Sequence, residues 1–317
     1  MPVDQPSIVI VGAGAMGSLF GGLLAEGGLD VTLLDIWREH VETINENGLR
    51  IVGYGGERVI PVKATSDAAT IKAADVFVFQ CKALSNEDAA NSVKHLFLGE
   101  TAAVSFQNGL GNEEVLGRVL GPDKILAGLT AQGAVIEAPG VVRNHGDLPT
   151  YLGEIGGGLS ARASAIAEAF NAHGLPTEAL ADVKRAKWKK LLGNIGFSAV
   201  SGTTDLNSIA IMAVPEMKET VFRAVAEAAA VARACGIDLS DDESREILMK
   251  MADVSGGGTG TTKSSLCTDL TNHRPTEVDF IYGTVARLGR DHQVPTPTLD
   301  TLISIVKGLE SHYLANP

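Results

Sequence analysis

Lys190, Asn194 and Ser198 recur at intervals of four, which sets an ammonium, an amide and a hydroxyl along one stripe of a helix. Leu191, Leu192 and Ile195 take the neighbouring arc, so the polar stripe borders a core. An ammonium at such a boundary can protonate the alkoxide developing from a ketone, while the amide orients the substrate. The surrounding stretch carries five basic residues among the seven from Lys184 to Lys190, a pattern that also reads as a solvated helix face. Lys187 and Lys189 are read that way.

A second group of residues suits an anion. Gly12-Ala13-Gly14-Ala15-Met16-Gly17 follows the β-branched run Ser7–Val11, and Leu19, Phe20, Leu23 and Leu24 follow it at helical spacing. In a strand–turn–helix of this kind the first glycine permits the tight turn and the second lets backbone approach a pyrophosphate. The third allows close helix–strand packing. The phosphate sits on free N–H groups at the helix start, so no lysine is required. Asp35, twenty-three residues after Gly12, ends the apolar run Val31–Leu34. A carboxylate there accepts from the ribose hydroxyls and repels a 2′-phosphate, which favours NAD over NADP. Arg38 could pair with that phosphate and keeps NADP open, and a helix cap is the alternative use of Asp35.

Val76–Phe79, Ala102–Phe106 and Ile125–Leu129 read as further strands, separated by helical stretches at Asn86–Phe97 and Glu113–Leu120. Such alternation predicts a parallel, doubly wound sheet. Between Ala131 and Glu154 short strands with Gly and Pro turns suggest a hairpin extension. After Val183 strand signals almost vanish; Trp188–Val200, Val214–Gly236 and Thr276–Gly289 read as helices, and Ser255–Thr262 as a flexible loop. The expectation is an α/β Rossmann-type doubly wound domain over residues 1–183, followed by an all-α substrate and dimerisation domain over 184–317. The Ala-rich segment Val221–Ala234 reads first as core packing and second as a homodimer face.

The formal charge of −12 argues against a nucleic-acid partner, which needs a basic face. The acidity is concentrated: eleven basic residues stand against twenty-two acidic ones up to Val183, and fifteen against sixteen thereafter. Gln5 to Ala25 carries no charge, but its five glycines and the absence of a preceding Lys or Arg fit neither a signal peptide nor a membrane anchor. Cys81, Cys235 and Cys267 are too few and scattered for a disulfide framework or a zinc site, and the histidines form no close ligand pair. A cytoplasmic protein, without membrane or metal, is expected.

The motifs together resemble the ketopantoate reductase (2-dehydropantoate 2-reductase) family. The resemblance rests on the glycine fingerprint, Cys81-Lys82-Ala83, Gln107-Asn108-Gly109, Trp188-x-Lys190-Leu191-x-x-Asn194, Ser264-Ser265-x-x-x-Asp269 and Thr276-Glu277-Val278-Asp279, in the family's order. It implies a substrate cleft between a Rossmann and a helical domain, with Lys190 as the general acid for the ketone oxygen. It also implies that Asn108 and Asn194 position nicotinamide and substrate, that Lys82 lines the cofactor side, and that Ser265 bonds the substrate. Glu277 would hold substrate or cofactor hydroxyls and the lysine network. Read without the resemblance, Ser265 is a helix cap and Glu277 a first-turn acid beside Pro275. Ser198 stands where members acting on ketopantoate often carry Asn, and Leu266-Cys267-Thr268 and the Gly256–Gly260 stretch are further departures. Asp35 departs from NADPH-using members. The expected activity is reduction of a branched 2-oxo acid to its 2-hydroxy acid; a dehydrogenase of another hydroxy acid or sugar acid, and a non-catalytic dinucleotide sensor, are the alternatives.

Overall fold

The apolar runs of the first half become strands buried on both faces, as a parallel sheet covered by helices requires. In the computed structural model, which describes residues 5–253, 260–261 and 263–314, the chain divides into two units. One comprises residues 1–107 and 112–184; the other comprises 108–111 and 185–317. The Ser255–Thr262 loop lies outside the described residues except for Gly260 and Thr261.

The first unit contains β1 (Ile8–Val11), β2 (Val31–Leu34), β3 (Leu49–Gly53), β4 (Arg58–Ile60), β5 (Lys63–Thr65), β6 (Val76–Phe79), β7 (Ala102–Ser105), β8 (Ile125–Thr130), β9 (Ala134–Ala138), β10 (Val141–Asn144), β11 (Thr150–Glu154) and β12 (Thr177–Ala179). Its helices are α1 (Ala15–Glu26), α2 (Arg38–Asn47), α3 (Asn86–Val93), α4 (Asn112–Leu120) and α5 (Ala161–Ala172). The main sheet runs β12-β11-β8-β7-β6-β1-β2-β5, parallel from β5 through β8, with β11 antiparallel to β8. The order reverses at β1: the chain goes to β2 on one side and returns to β6 on the other. In register, Val11 lies beside Leu34 and Phe79, so the fingerprint, Asp35 and the Gln80–Lys82 turn leave the sheet at one edge. Carboxyl ends flanking such a switch point are where open α/β sheets bind ligands.

The expected hairpin exists as β9 and β10, but it belongs to a second sheet ordered β4-β3-β10-β9, with β3 and β10 parallel. Ile8, Ile10, Leu33, Val78 and Phe106 belong to one core with α1 and this small sheet, while Val9, Val11, Phe77 and Phe79 face another formed with Ala90, Val93 and Leu116.

The second unit is helical: no strand occurs in it among the described residues. It holds α6 (Val183–Thr204, which begins two residues earlier in the first unit), α7 (Ser208–Ala213), α8 (Pro215–Ala234), α9 (Asp241–Ala252) and α10 (Ser265–Thr271). A π-helical turn at Asp279–Gly283 leads into α11 (Thr284–Asp291), and α12 (Pro297–Glu310) closes the described chain. Val221, Ala224, Val225, Ala228, Ala229 and Ala232 of α8 are buried within this unit against residues such as Leu192, Ile195 and Val285, which is the core-packing use of the Ala-rich segment.

Candidate active site

In the first unit, Gly12 turns the chain at φ 95°, and a side chain on Gly17 would strike the Gly12 carbonyl at 1.9 Å. These two positions therefore require glycine. Gly14 differs: a Cβ there would meet nothing within 4 Å, so its side of the loop is open. Gly14 is also the N-cap of α1, no side chain caps that helix, and no acid lies in its first turn. Ala15 and Met16 supply the next N–H groups. An open, uncapped, acid-free helix start suits the pyrophosphate of a dinucleotide. At the end of β2, Asp35 is half-buried, and its Oδ1 accepts from the Trp37 N–H at 2.9 Å. Trp37, with no side-chain cap, precedes α2, so Asp35 does not serve as the helix cap. Arg38 is exposed at the helix start, and Lys82 is exposed after β6.

Behind these loops lies a buried amide network absent from the sequence reading. Gln107 Nε2 donates to the Cys81 carbonyl and to Asn86 Oδ1, each at 2.6 Å, while its Oε1 accepts from Ser105 Oγ at 2.9 Å. Asn86 Nδ2 in turn donates to Asn112 Oδ1 at 2.8 Å. The turns after β6 and β7 are thus fastened to the starts of α3 and α4. A buried network whose members satisfy one another is rigid.

In the second unit, Lys190 Nζ donates to Asn108 Oδ1 at 2.8 Å. Asn108 heads the short segment Asn108–Gly111, which is clamped to the helical unit by its own backbone. Leu110 N–H donates to the Phe280 carbonyl at 2.9 Å, and Thr284 Oγ1 donates to the Leu110 carbonyl at 3.2 Å. Gly109, at φ 83°, passes so close that a Cβ would stand 2.4 Å from the Phe280 oxygen. Desolvation, and after it the Lys187 charge, lower the Lys190 pKa to about 8 against the opposing pull of Glu277. Lys187 corrects an expectation: it is 7% exposed and buried, not on a solvated face. Lys189 is ion-paired with Glu243 at 2.9 Å.

Asn194 is half-buried and Ser198 buried, as their stripe beside the core implies. Tyr282, on the π-helical turn, acts on this stretch of α6. Its hydroxyl takes the Ala199 N–H at 2.8 Å and donates to the Ile195 carbonyl at 2.7 Å. Those are the donor and acceptor that one helical turn would otherwise join, so the phenol bridges the ladder between Asn194 and Ser198. Burial raises the Tyr282 pKa, which keeps the hydroxyl protonated and able to donate. Glu277, two residues before the π-helical turn, is buried. The cap of α10 is Ser264, whose Oγ accepts from Cys267 N–H at 3.0 Å and donates to the Ser198 carbonyl at 3.1 Å. Ser265 is exposed at the first position of α10. Tyr282 and the pairing of Gln107 with Asn86 escaped the sequence reading; a tyrosine on an apolar helical face and amides beside strand ends were the available signals. Among the described residues no group of three His, Cys, Asp or Glu could hold a metal ion, and no helix is long and apolar enough to cross a membrane.

Both units match known proteins. Residues 8–157 match the family model of ketopantoate reductase PanE/ApbA, and residues 182–310 match that of its C-terminal part. A 2-dehydropantoate 2-reductase of Halobacterium salinarum is 34% identical over 95% of this chain and 97% of its own. One from Pyrococcus horikoshii is 33% identical over 96% and 97%. Among solved structures, D-mandelate dehydrogenase with NADH and anilino(oxo)acetate is 28% identical with a TM-score of 0.91, covering 97% of this chain and 99% of that one. A PanE/ApbA family ketopantoate reductase from Ralstonia eutropha, also 28% identical, has a TM-score of 0.89 with the same coverage. With near-complete coverage on both sides and a match in each unit, the chain belongs to the ketopantoate reductase family.

Proposed function

We propose that this chain reduces the ketone of a branched 2-oxo acid, ketopantoate, to the alcohol of pantoate, with NADH as the preferred reductant. The observation carrying the reading is the Lys190–Asn108 hydrogen bond of 2.8 Å on a lysine whose pKa is brought to about 8. The nicotinamide dinucleotide, when bound, supplies a hydride to the ketone carbon. Lys190 gives one ammonium proton to the carbonyl oxygen, completing the alcohol, and is left as a neutral amine that water reprotonates. Asn108 Oδ1, holding one ammonium hydrogen, fixes where the others point. Negative charge grows on that oxygen only as the hydride arrives, so a fixed ammonium there favours the transition state over the ground state. Asn194, Ser198 and Ser265 bind the polar groups of the acid, and Glu277 counterbalances the lysine charges. Residues 12–17 hold the pyrophosphate through backbone N–H groups; Lys82 lines the cofactor side and Asp35 accepts from the ribose hydroxyls. In domain terms, residues 1–183 bind the dinucleotide and 184–317 the acid.

A second reading is favoured by the D-mandelate dehydrogenase likeness and by Ser198 in place of the family's frequent Asn: an NADH-linked dehydrogenase of another 2-hydroxy acid. A panel of ketopantoate, phenylglyoxylate and other 2-oxo acids with NADH and NADPH, followed by nicotinamide absorbance, tests both. Fast NADH oxidation with ketopantoate upholds the first reading, and selective turnover of an aromatic 2-oxo acid the second. Dinucleotide binding without turnover of any acid sinks both.

A further inference from the structure

We propose that His40 is a positioning residue for the dinucleotide, the centre of a hydrogen-bonded chain that runs from the β9–β10 turn through Ser18 to the carbonyl of Ala13 in the fingerprint loop. The inference rests on the dinucleotide reading above. His40 lies on α2 and is fully buried. The Gly140 N–H, in the turn between β9 and β10, donates to His40 Nδ1 at 2.9 Å. A backbone N–H can only donate, so Nδ1 carries a lone pair. The neutral ring then bears its proton on Nε2, which donates to Ser18 Oγ at 3.0 Å. Ser18 spends its own proton on the Ala13 carbonyl at 2.7 Å. Every donor meets an acceptor, and the direction of the chain is fixed by its first, unambiguous donor. Burial lowers the His40 pKa against the opposing pulls of the Asp35 carboxylate and the Ala13 carbonyl, in keeping with the neutral ring.

The consequence falls on the anion site. In a trans peptide the carbonyl and the following N–H point in opposite directions. Holding the Ala13 carbonyl toward Ser18 therefore aims the Gly14 N–H the other way, on the residue where the loop is open. The same imidazole stacks on Trp37 at 4.9 Å and 11°, and the Trp37 N–H holds Asp35 Oδ1. One buried ring thus joins the loop that would hold the pyrophosphate to the carboxylate that would hold the ribose. Gly140 adds the small sheet, since its carbonyl also accepts from Arg50 N–H of β3 at 2.9 Å.

The test uses the full chain and its Ser18→Ala, His40→Phe and His40→Gln variants, with NADH binding followed by fluorescence titration and thermal unfolding measured alongside. Ser18→Ala and His40→Phe are expected to weaken NADH binding about fivefold to twentyfold, the cost of losing one orienting hydrogen bond. KM for the 2-oxo acid should change far less than KM for NADH. Glutamine can place an amide N–H near the Nε2 position, so His40→Gln should recover most of the affinity lost in His40→Phe. Nitrogen-15 NMR of His40 should report the neutral ring protonated at Nε2. NADH binding by Ser18→Ala equal to that of the wild type overturns the chain, as does an Nδ1-protonated or charged His40. A uniform loss of thermal stability across all variants, with affinity unchanged among the folded protein, makes His40 merely structural and overturns it too. A wild-type chain that binds neither NADH nor NADPH removes the dinucleotide reading and this proposal with it.

Discussion

Titration of Lys190 sets a sharp expectation for the pH dependence of the reaction. Desolvation and the neighbouring Lys187 bring its pKa from 10.5 to about 8, with Glu277 pulling the other way. Ketone reduction needs the ammonium form, so the protonated fraction falls from about nine-tenths near pH 7 to about one-tenth near pH 9. The hydride-transfer rate should therefore drop about tenfold across that interval, whereas an ordinary lysine would stay almost fully charged. Oxidation of the hydroxy acid uses the neutral amine and should rise through the same pH. Replacing Lys187 with Met removes a like charge and should move the limb upward by about 0.5–1 pH unit. Single-turnover consumption of NADH, at saturating cofactor and acid, isolates the chemical step from product release. A rate flat to about pH 10 would refute the assignment of Lys190 as the proton donor. A limb unmoved in Lys187→Met would refute the electrostatic account of its position.

Other expectations follow from single contacts. Tyr282→Phe deletes the hydroxyl bridging Ala199 and Ile195, so it should cost about 1–2 kcal/mol in urea unfolding and raise KM for the 2-oxo acid, with the NADH dissociation constant unchanged. Both amide atoms of Gln132 are buried without a hydrogen-bond partner among the described residues, so Gln132→Leu should stabilise the fold by about 1–2 kcal/mol. A destabilised Gln132→Leu protein would mean the amide is satisfied in solution. Asp35→Ser removes a carboxylate that repels a 2′-phosphate and leaves Arg38 beside the site, so the NADPH-to-NADH preference measured by kcat/KM should rise about tenfold or more. An unchanged ratio would take Asp35 out of cofactor selection.

The parts legible in the sequence were those with a strong local signature. The β-branched run before Gly12 and the apolar runs at Val76 and Ala102 became parallel strands within a residue or so of the expected limits. The Lys190 stripe was legible because four-residue spacing and flanking leucines are properties of one helix. Residues whose surroundings come from distant chain were not. β3 pairs in parallel with β10 some ninety residues away, and the short β4 and β5 have too few residues to show a period. Lysine at 187 looked solvated because its residue type usually is, and only tertiary packing buries it. The bridge from Tyr282 to α6 spans more than eighty residues, so neither partner announces the other. The hydrogen bond from Lys190 to Asn108 was not legible either: the resemblance gave the two residues separate roles, and no spacing rule links residues eighty-two apart.

The four residues Asn108–Gly111 bear on how such a protein can be cut and recombined. Although the chain enters them from β7 and leaves them into α4, their compact unit is the helical one. A fragment starting at Arg185 would lack the acceptor of Lys190 and the N–H that satisfies the Phe280 carbonyl. A chimera joined at the same point would inherit its lysine from one parent and the lysine's partner from the other. Exchange of halves between relatives is therefore expected to preserve the lysine environment only when this tetrapeptide travels with the C-terminal piece, so the inheritable module is discontinuous in the gene.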